Sequence, residues 1–394
     1  MTHHRSRRRV LKALGTVGGA SALAGCSALT QDGNGGGPGS GNGNGNGGGN
    51  GGDDEEGEPA KETTVDTIAA DPTDVPDPVD WDEPRYHELE IQTEEHVAEI
   101  EDGVTYDFMT FEGQVPGPFI RARVGDTIHL TFDVPEDLND MVHNMDFHAV
   151  YGPGGAAADT TIAPGEGPVE IEFTLEYPGA FYYHCAPGEH DLHISSGMFG
   201  TILVEPEDGL PEVDRELHLG QHELYTDRPK GEEGHHGYDY DALENEEPTY
   251  VLFNGEQGRF AEGGEVGRIP IEQGSTVRIY WCNGGPNFVS GPHPIGNVWT
   301  NWYDYGDLDS EPVSHVEGAA LPPGTAAVGE LETPVPQPIH LVDHALSRVV
   351  RKGLMAELEV NGEENPDVYN PDPTSSQPDN GTQTGTQNET EIVD

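Results

Sequence analysis

The chain has 394 residues, and its 18 basic and 73 acidic side chains give a formal net charge of −55. A length of this order predicts two domains, each large enough to bury a substantial core. Nucleic acid and anionic membrane surfaces would repel such a charge, so we expect neither as a partner. Because the acidic residues are spread through the strand-rich regions, the charge is typical of a protein working at high salt, where screening reduces self-repulsion.

Residues 1–25 have the features of an export signal and are excluded from fold reasoning. Ser6-Arg-Arg-Arg-Val-Leu-Lys12 resembles a twin-arginine motif, and a short apolar run ends at Leu23-Ala-Gly-Cys26. This ending resembles a lipoprotein processing box, so we expect Cys26 to be lipidated and to anchor the protein at the outer face of the cell membrane. The alternative is a twin-arginine signal without lipidation. Removing residues 1–25 takes away five basic and no acidic side chains, which leaves a net charge of −60.

Both ends of the remaining chain have the composition of unfolded segments. We predict that residues 26–81 form a flexible linker. Residues 31–53 are almost entirely Gly, Asn and Asp, and an acidic, Pro-rich stretch follows them. Residues 363–394 are polar without an apolar period and predict a disordered tail. This tail carries two glycosylation sequons, at Asn380 and Asn388.

From residue 86 the sequence consists of short alternating strands separated by Gly and Pro, which predicts an all-β fold of Greek-key sandwiches. The pattern also repeats. Phe111-Glu-Gly113 is echoed by Phe253-Asn-Gly255, and the segment 124–130 is echoed by 273–279. We therefore predict two tandem copies of one β-domain, over residues 82–207 and 208–362.

The first copy contains a mixed nitrogen and sulfur set, formed by His143, Cys185, His193 and Met198. Two imidazoles and a thiolate in a trigonal plane, with a weak axial thioether, are the ligands of an electron-transfer copper site. Each of these residues taken alone is more often an ordinary core residue. Their spacing, types and strand positions together favour the metal site.

His148 and His184 remain, and strand geometry predicts where they lie. Side chains alternate between the two faces of a strand, so the adjacent His184 and Cys185 face opposite sides. His143 and His148, five residues apart, do the same if that segment is extended, and Asp146 falls on the side of His148. The sequence thus predicts two sites joined by the single peptide link between His184 and Cys185.

In the second copy, His344 occupies the position of Cys185 and Leu354 that of Met198, so a thiolate site is not expected there. His344 is the natural third imidazole for His148 and His184. Three neutral imidazoles leave an open coordination position, which is how a catalytic metal site is built. His293 is the remaining histidine of interest. We expect surface or packing roles for the others: His129, His190, His218, His222, His235, His236 and His315.

Three cysteines do not make a disulfide framework. Cys26 is assigned to lipid and Cys185 to metal, which leaves Cys282 without a partner. We expect Cys282 to be a buried strand residue.

Taken together, these motifs resemble those of the copper-containing dissimilatory nitrite reductases, a family with two cupredoxin domains per subunit. The resemblance covers about residues 86–362. It rests on His143-Asn-Met-Asp-Phe-His148, Tyr183-His-Cys-Ala186, His193-x4-Met198, Asn283-Gly-Gly-Pro-Asn287, His293-x-Ile-Gly296 and Val342-Asp-His-Ala345.

The resemblance implies a homotrimer with two coppers per subunit. The residues that match the type 1 copper ligands are His143, Cys185, His193 and Met198. Those that match the type 2 ligands are His148, His184 and His344, of which His344 would act on the neighbouring subunit. Asp146 and His293 match the active-site acid and histidine of the family.

The activity implied is the one-electron reduction of nitrite to nitric oxide, with electrons from an external donor such as a small copper protein or a cytochrome. The chain departs from the family in the loop Gly152–Ala158, in an enlarged acidic loop at 227–247 and after Gly296, without losing a ligand. Two alternatives are a two-domain multicopper oxidase, whose several His-x-His pairs are missing, and a type 1 electron carrier, which leaves the second histidine set unexplained.

Overall fold

The computed structural model describes residues 58–373. The predicted signal, Cys26, the Gly-rich part of the linker and both sequons lie outside the described residues. The described strands are β1 (Tyr86–Glu101), β2 (Val104–Phe111), β3 (Ile120–Arg123), β4 (Thr127–Asp133), β5 (Asp146–Phe147), β6 (Val169–Thr174), β7 (Gly179–His184), β8 (Phe199–Glu205), β9 (Arg215–Leu224), β10 (Gly234–His236), β11 (Tyr250–Phe253), β12 (Ile269–Glu272), β13 (Thr276–Gly285), β14 (Pro292–Ile295), β15 (Trp299–Tyr303), β16 (Val313–Val316), β17 (Thr325–Glu332), β18 (Pro338–Asp343) and β19 (Ala356–Asn361).

Helical structure within residues 58–373 is limited to short turns. These are α1 (Ala157–Thr160), α2 (His190–Ser195), α3 (Tyr240–Glu244) and two 3-10 turns, Asp304–Gly306 and Leu346–Arg348. Within that range, the structure contains no helix with the length and apolarity needed to span a membrane. The all-β prediction is confirmed.

The two halves of the chain repeat one sheet plan. In the first half the strand orders are β10-β2-β1-β4-β6 and β3-β8-β7-β5, and in the second half they are β11-β9-β13-β17-β15-β16 and β12-β19-β18-β14. The turn after β2 and the turn after β11 also match, since Glu112 and Asn254 both adopt positive φ angles, of 57° and 52°. Strand β10 comes from the acidic loop 227–247 and adds an edge to the first sheet, parallel to β2.

Each half buries its own core between two sheets. In β4, buried and partly exposed residues alternate strictly, and Ile128, Leu130 and Phe132 point inward toward Ile202 and Val204 of β8. Every residue of β8 is buried, because its other face packs against the second half, where Leu203 contacts the cluster around Tyr280. Burial on both faces removes the alternation that marks a half-exposed strand.

The two halves are also joined by a buried charge network. Arg121 and Glu205 come from the first half, and Glu216, Arg278 and Glu330 from the second. Glu216 binds both arginines, with Oε2 2.6 Å from Arg121 Nη1 and Oε1 3.0 Å from Arg278 Nη1. These side chains are 2–13% exposed, so the pairs lie away from bulk water.

The flexible-linker prediction is wrong for residues 59–81, which pack along both halves. Ala70 N–H donates to Val115 O (2.9 Å) of the first half, and Asn254 of the second half donates to Ala70 O (3.0 Å). Ile68 is fully buried in the core between the halves. The composition was misleading because a few small or apolar residues, such as Ile68 and Ala70, together with hydrogen bonds to the segment's backbone, hold it in an extended conformation on both halves.

The disordered-tail prediction also fails for residues 363–373. The backbone N–H of Glu363 donates to Gln273 Oε1 (2.8 Å), and Asn365 Nδ2 donates to Pro334 O (3.1 Å). Residues after 373 lie outside the described range.

Cys282 is fully buried in β13, as expected.

Candidate metal centres

Four predicted ligands meet at one end of the first sandwich. His143 precedes β5, Cys185 directly follows β7, His193 lies in α2 and Met198 immediately precedes β8. Strand pairing brings the segments together, because β7 is hydrogen-bonded to both β5 and β8. All four side chains are buried, with exposures of 0–2%. We call His143, Cys185 and His193, with Met198, the first centre.

The donor atoms of the first centre form a compact triangle. The distance is 3.2 Å from His143 Nδ1 to His193 Nδ1, 3.5 Å from Cys185 Sγ to His193 Nδ1 and 3.7 Å from Cys185 Sγ to His143 Nδ1. The point equidistant from these three atoms is about 2 Å from each, close to ordinary metal–nitrogen and metal–sulfur bond lengths. The triangle therefore has the size of a single-ion site.

The electrostatics of the first centre also fit a bound cation. Burial, with a smaller contribution from His143, lowers the pKa of His193 to about 3, which keeps this imidazole neutral. Burial raises the pKa of the Cys185 thiol well above its ordinary value. A cation between the donors would stabilise the thiolate at neutral pH. The residues present therefore fit a soft metal ion such as copper.

Glu95 of β1 orients His143. The Nε2–H of His143 donates to Glu95 Oε1 at 3.2 Å, which leaves Nδ1 free on the side of Cys185. Burial alone would raise the pKa of Glu95, but hydrogen bonds from His143 and from the backbone N–H groups of Asp140 and Met141 outweigh it and lower the pKa. Carboxylate–histidine contacts of this kind fix the tautomer and orientation of metal-binding histidines.

Backbone contacts hold the sulfur ligands in place. Asn144 N–H points to Cys185 Sγ at 3.4 Å, and Asn144 Oδ1 accepts from Ala186 N–H at 2.6 Å. Cys185 N–H donates to Met198 O (3.1 Å), while Met198 N–H donates to His193 O (3.0 Å). Sequence reasoning missed both Glu95 and Asn144. Asn144 lies inside a recognised motif. Glu95 is 48 residues before His143, and nothing in the sequence around it indicates a contact with a metal ligand.

Asp146, His148 and His184 form a second group, with ligand atoms within 4.8 Å of one another. His184 Nε2 lies 3.7 Å from Asp146 Oδ2, and the rings of His148 and His184 meet edge to face with centroids 5.3 Å apart. We call these three residues the second centre. Unlike the first, it is partly exposed, and His148 is the most open of the three.

His184 connects the two centres. Its Nδ1–H donates to the backbone carbonyl of Cys185 at 3.0 Å, so Nε2 remains free for a ligand or a metal. Burial lowers the pKa of His184 and of His148, with Asp146 opposing the shift in both cases. Both imidazoles are therefore predominantly neutral near pH 7, the form in which histidine binds metal.

His344 and His293 lie together rather than with the second centre of the same chain. Their ring centroids are 5.2 Å apart, on the end of β18 and in the neighbouring strand β14. His344 is exposed, and His293 Nδ1–H donates to Glu317 O. Among the described residues, His344 is not part of any close group of metal-ligand atoms.

Five of the other histidines contact nearby hydrogen-bonding groups. His218 Nε2 contacts Thr201 Oγ1 (3.0 Å), and His222 Nδ1–H donates to Ser195 O (3.0 Å). His129 contacts Tyr86 Oη (2.8 Å), and His190 Nδ1–H donates to Pro187 O (2.9 Å). His235, in the edge strand β10, lies 3.1 Å from Asp107. The structure therefore gives these histidines packing contacts.

Comparison with known proteins agrees with this geometry. Residues 92–209 match the sequence model of the multicopper oxidase family. The chain is 39% identical over 305 residues to a copper-containing nitrite reductase of Neisseria meningitidis, covering 77% of this chain and 76% of the relative. It is 31% identical over 309 residues to that of Pseudomonas chlororaphis, covering 72% and 81%.

A solved structure shows the same fold. The copper nitrite reductase of Nitrosomonas europaea superposes with a TM-score of 0.63 at 31% identity, covering 72% of this chain and 96% of that one. The two repeated sandwiches are therefore cupredoxin-like domains. The chain belongs to the copper-containing nitrite reductase family.

Proposed function

We propose that this protein reduces nitrite to nitric oxide, using one electron delivered through two copper sites in each subunit. The observation that carries the proposal is the arrangement of two ligand groups on opposite sides of one peptide link, Cys185 in the first centre and His184 in the second. An electron carrier would need only the first group. A multicopper oxidase needs further histidine clusters, and the described residues contain two groups.

In this proposal the first centre holds type 1 copper through His143, Cys185, His193 and Met198. Bound copper supplies one-electron redox chemistry at the first centre, and Lewis acidity and substrate orientation at the second. The protein contributes buried, pre-oriented donors and a short covalent route to the second centre. An external donor, a small copper protein or a cytochrome, supplies the electron.

The second centre is proposed to hold type 2 copper through His148, His184 and the partner subunit's His344, in a homotrimer. Two observations support the sharing: the second centre has only two imidazoles of its own, and His344 is exposed elsewhere on the same chain. A partly exposed three-histidine site leaves room for a small anion, as a catalytic metal site requires.

The proton chemistry is assigned to Asp146 and His293. Conversion of nitrite to nitric oxide and water takes one electron and two protons. Asp146 lies beside His184, where its carboxyl group can hydrogen-bond to a substrate oxygen and deliver a proton. Because His293 lies beside His344 of the same chain, the partner subunit's His293 would enter the shared site together with the partner subunit's His344. Its Nδ1–H is used for a backbone carbonyl, so Nε2 is left to hold and pass the second proton.

The remaining assignments rest on sequence features. We propose export by the twin-arginine route, anchoring through lipid on Cys26 at the outer face of the membrane, and operation at high salt because of the charge of −55. We retain 82–207 and 208–362 as the limits of the two domains.

The test of a shared site is complementation between inactive chains. His344→Ala should keep the visible colour of the first centre, lose type 2 copper by electron paramagnetic resonance and copper analysis, and lose nitric oxide production. His148→Ala should behave in the same way. Co-assembly of the two variants should restore part of the activity, because some interfaces then pair an intact His148 with an intact His344.

The controls separate a shared site from other outcomes. Each variant dissociated and reassembled alone should stay inactive. Full activity of His344→Ala would remove this residue from the site. No recovery after verified co-assembly would place the complete site within one chain.

A further inference from the structure

The loop that follows β5 folds back against Asp146 of the second centre. Phe147 N–H donates to Gly155 O at 2.8 Å, which ties the loop to the strand that carries Asp146. Gly154 and Gly155 both have left-handed backbones, with φ of 59° and 57°. The two glycines are therefore equivalent in backbone strain but face different neighbours.

Those neighbours explain why Gly155 has no side chain. A Cβ atom on Gly155 would lie 2.1 Å from Asp146 Oδ1, 2.7 Å from Phe147 O and 3.0 Å from Phe147 N. The first two distances are far shorter than any real carbon contact, so the carboxyl group or the loop would have to move. A Cβ atom on Gly154 would meet only Ala157 Cβ, at an ordinary 3.6 Å.

We propose that Gly155 is a positioning residue that sets the orientation of the Asp146 carboxyl group. One carboxyl oxygen, Oδ1, occupies the space left by the missing side chain, and the other, Oδ2, lies 3.7 Å from His184 Nε2. The Gly155 backbone lies directly against Oδ1, so in this proposal it restricts rotation of the carboxyl group away from His184. This inference rests on the proposed role of Asp146 in nitrite reduction.

The test compares Gly155→Ala with Gly154→Ala in the copper-loaded full-length protein. Both substitutions place alanine at a left-handed position, so they cost similar backbone free energy, but only the first displaces Asp146. Misplacing a reacting group by about 1 Å costs up to about a hundredfold in rate. We expect Gly155→Ala to lower kcat/KM for nitrite about 10- to 100-fold, and Gly154→Ala to stay within about twofold.

A spectroscopic readout accompanies the kinetics. Gly155→Ala should retain two coppers per chain and the visible colour of the first centre, while the change that added nitrite causes in the type 2 resonance signal should weaken. Loss of copper from Gly155→Ala would show that the loop supports the metal ligands instead, which overturns the proposal. Equal losses in both glycine variants would attribute the effect to backbone strain and also overturn it.

A double variant separates this inference from the role of Asp146 itself. If Gly155 acts through Asp146, Gly155→Ala should cause little further loss in Asp146→Ala, since contacting residues on one pathway are non-additive. Additive losses would overturn the inference while leaving the role of Asp146 intact. Full activity of Asp146→Ala would instead refute the proposed acid.

The same double variant also covers the case in which Gly155→Ala alone fails to fold. Removing the Asp146 carboxyl group should then let Asp146→Ala/Gly155→Ala form coloured, soluble protein. If the double variant also fails to fold, the clash with Phe147 dominates and the inference is overturned.

Discussion

Glu216 is the residue on which the buried network between the two halves depends. Its carboxylate accepts hydrogen bonds from Arg121 Nη1 (2.6 Å), Arg278 Nη1 (3.0 Å) and Tyr280 Oη (2.7 Å). Burial alone would raise the pKa of Glu216, but the hydrogen bond and charge of Arg121, with Tyr280 and Arg278, outweigh it and lower the pKa. Replacing Glu216 should therefore destabilise the protein.

The magnitude follows from the partners that remain. Removing one member of a buried ion pair costs about 3–5 kcal/mol when the other is left without a partner. Here Arg121 keeps Glu205 at 2.5 Å and Arg278 keeps Glu330 at 2.6 Å. We therefore expect Glu216→Ala to lower the free energy of unfolding by about 3 kcal/mol, the low end of that range. Glu216→Gln keeps an acceptor oxygen and should cost about 1–2 kcal/mol.

The assay is urea unfolding at one fixed protein concentration, because the apparent stability of the proposed trimer would depend on concentration. Glu212→Gln, at an exposed position nearby, removes the same charge and should change the free energy by less than about 0.5 kcal/mol. The difference between Glu216→Ala and the parent should persist in molar salt, since buried pairs are screened weakly. A loss below about 1 kcal/mol would refute the reasoning.

Acid gives an independent check on the same residue. The pKa of Glu216 is lower in the folded than in the unfolded state, so its stabilisation is fully present above the unfolded value of about 4.3. It is lost as the pH falls through the folded pKa. The stability gap between the parent protein and Glu216→Gln should therefore close below about pH 4. A gap that stays constant from neutral pH to acid would contradict the lowered pKa.

Three further predictions concern the metal centre and the charge. Cys185→Ala should lose the visible charge-transfer absorption while copper remains at the proposed three-histidine site, and a variant that keeps the colour would exclude Cys185 as the thiolate ligand. Glu95→Ala should lower copper affinity at the first centre about 10- to 100-fold in a chelator competition, because His143 loses its orienting carboxylate, and unchanged affinity would contradict this role. The melting temperature should fall steeply as salt is reduced from about 1 M to tens of millimolar, since screening relieves the repulsion of a chain with a charge of −55, and a flat response would argue against high-salt adaptation.

The sequence by itself determined the repeated all-β fold and pointed to both groups of candidate ligands. Both features depend on residues that are close to one another in the sequence. Alternation along a strand is visible in the order of residues, as in β4, and adjacent residues such as His184 and Cys185 must face opposite sides of an extended chain. A ligand set made of His, Cys and Met is recognisable from residue types combined with spacing and strand position, because this donor set suits copper.

Only the tertiary structure decided which distant groups complete the centres and join the two halves. Glu95 reaches His143 because β1 passes beside the loop before β5, and Gly155 meets Asp146 because its loop folds back on β5. The segment 59–81 packs on both halves although its composition resembles a linker. Such contacts join residues far apart in the chain or depend on the shape of a loop, so neither periodicity nor spacing encodes them. They exist only once the sheets have packed and left those surfaces and spaces to be filled.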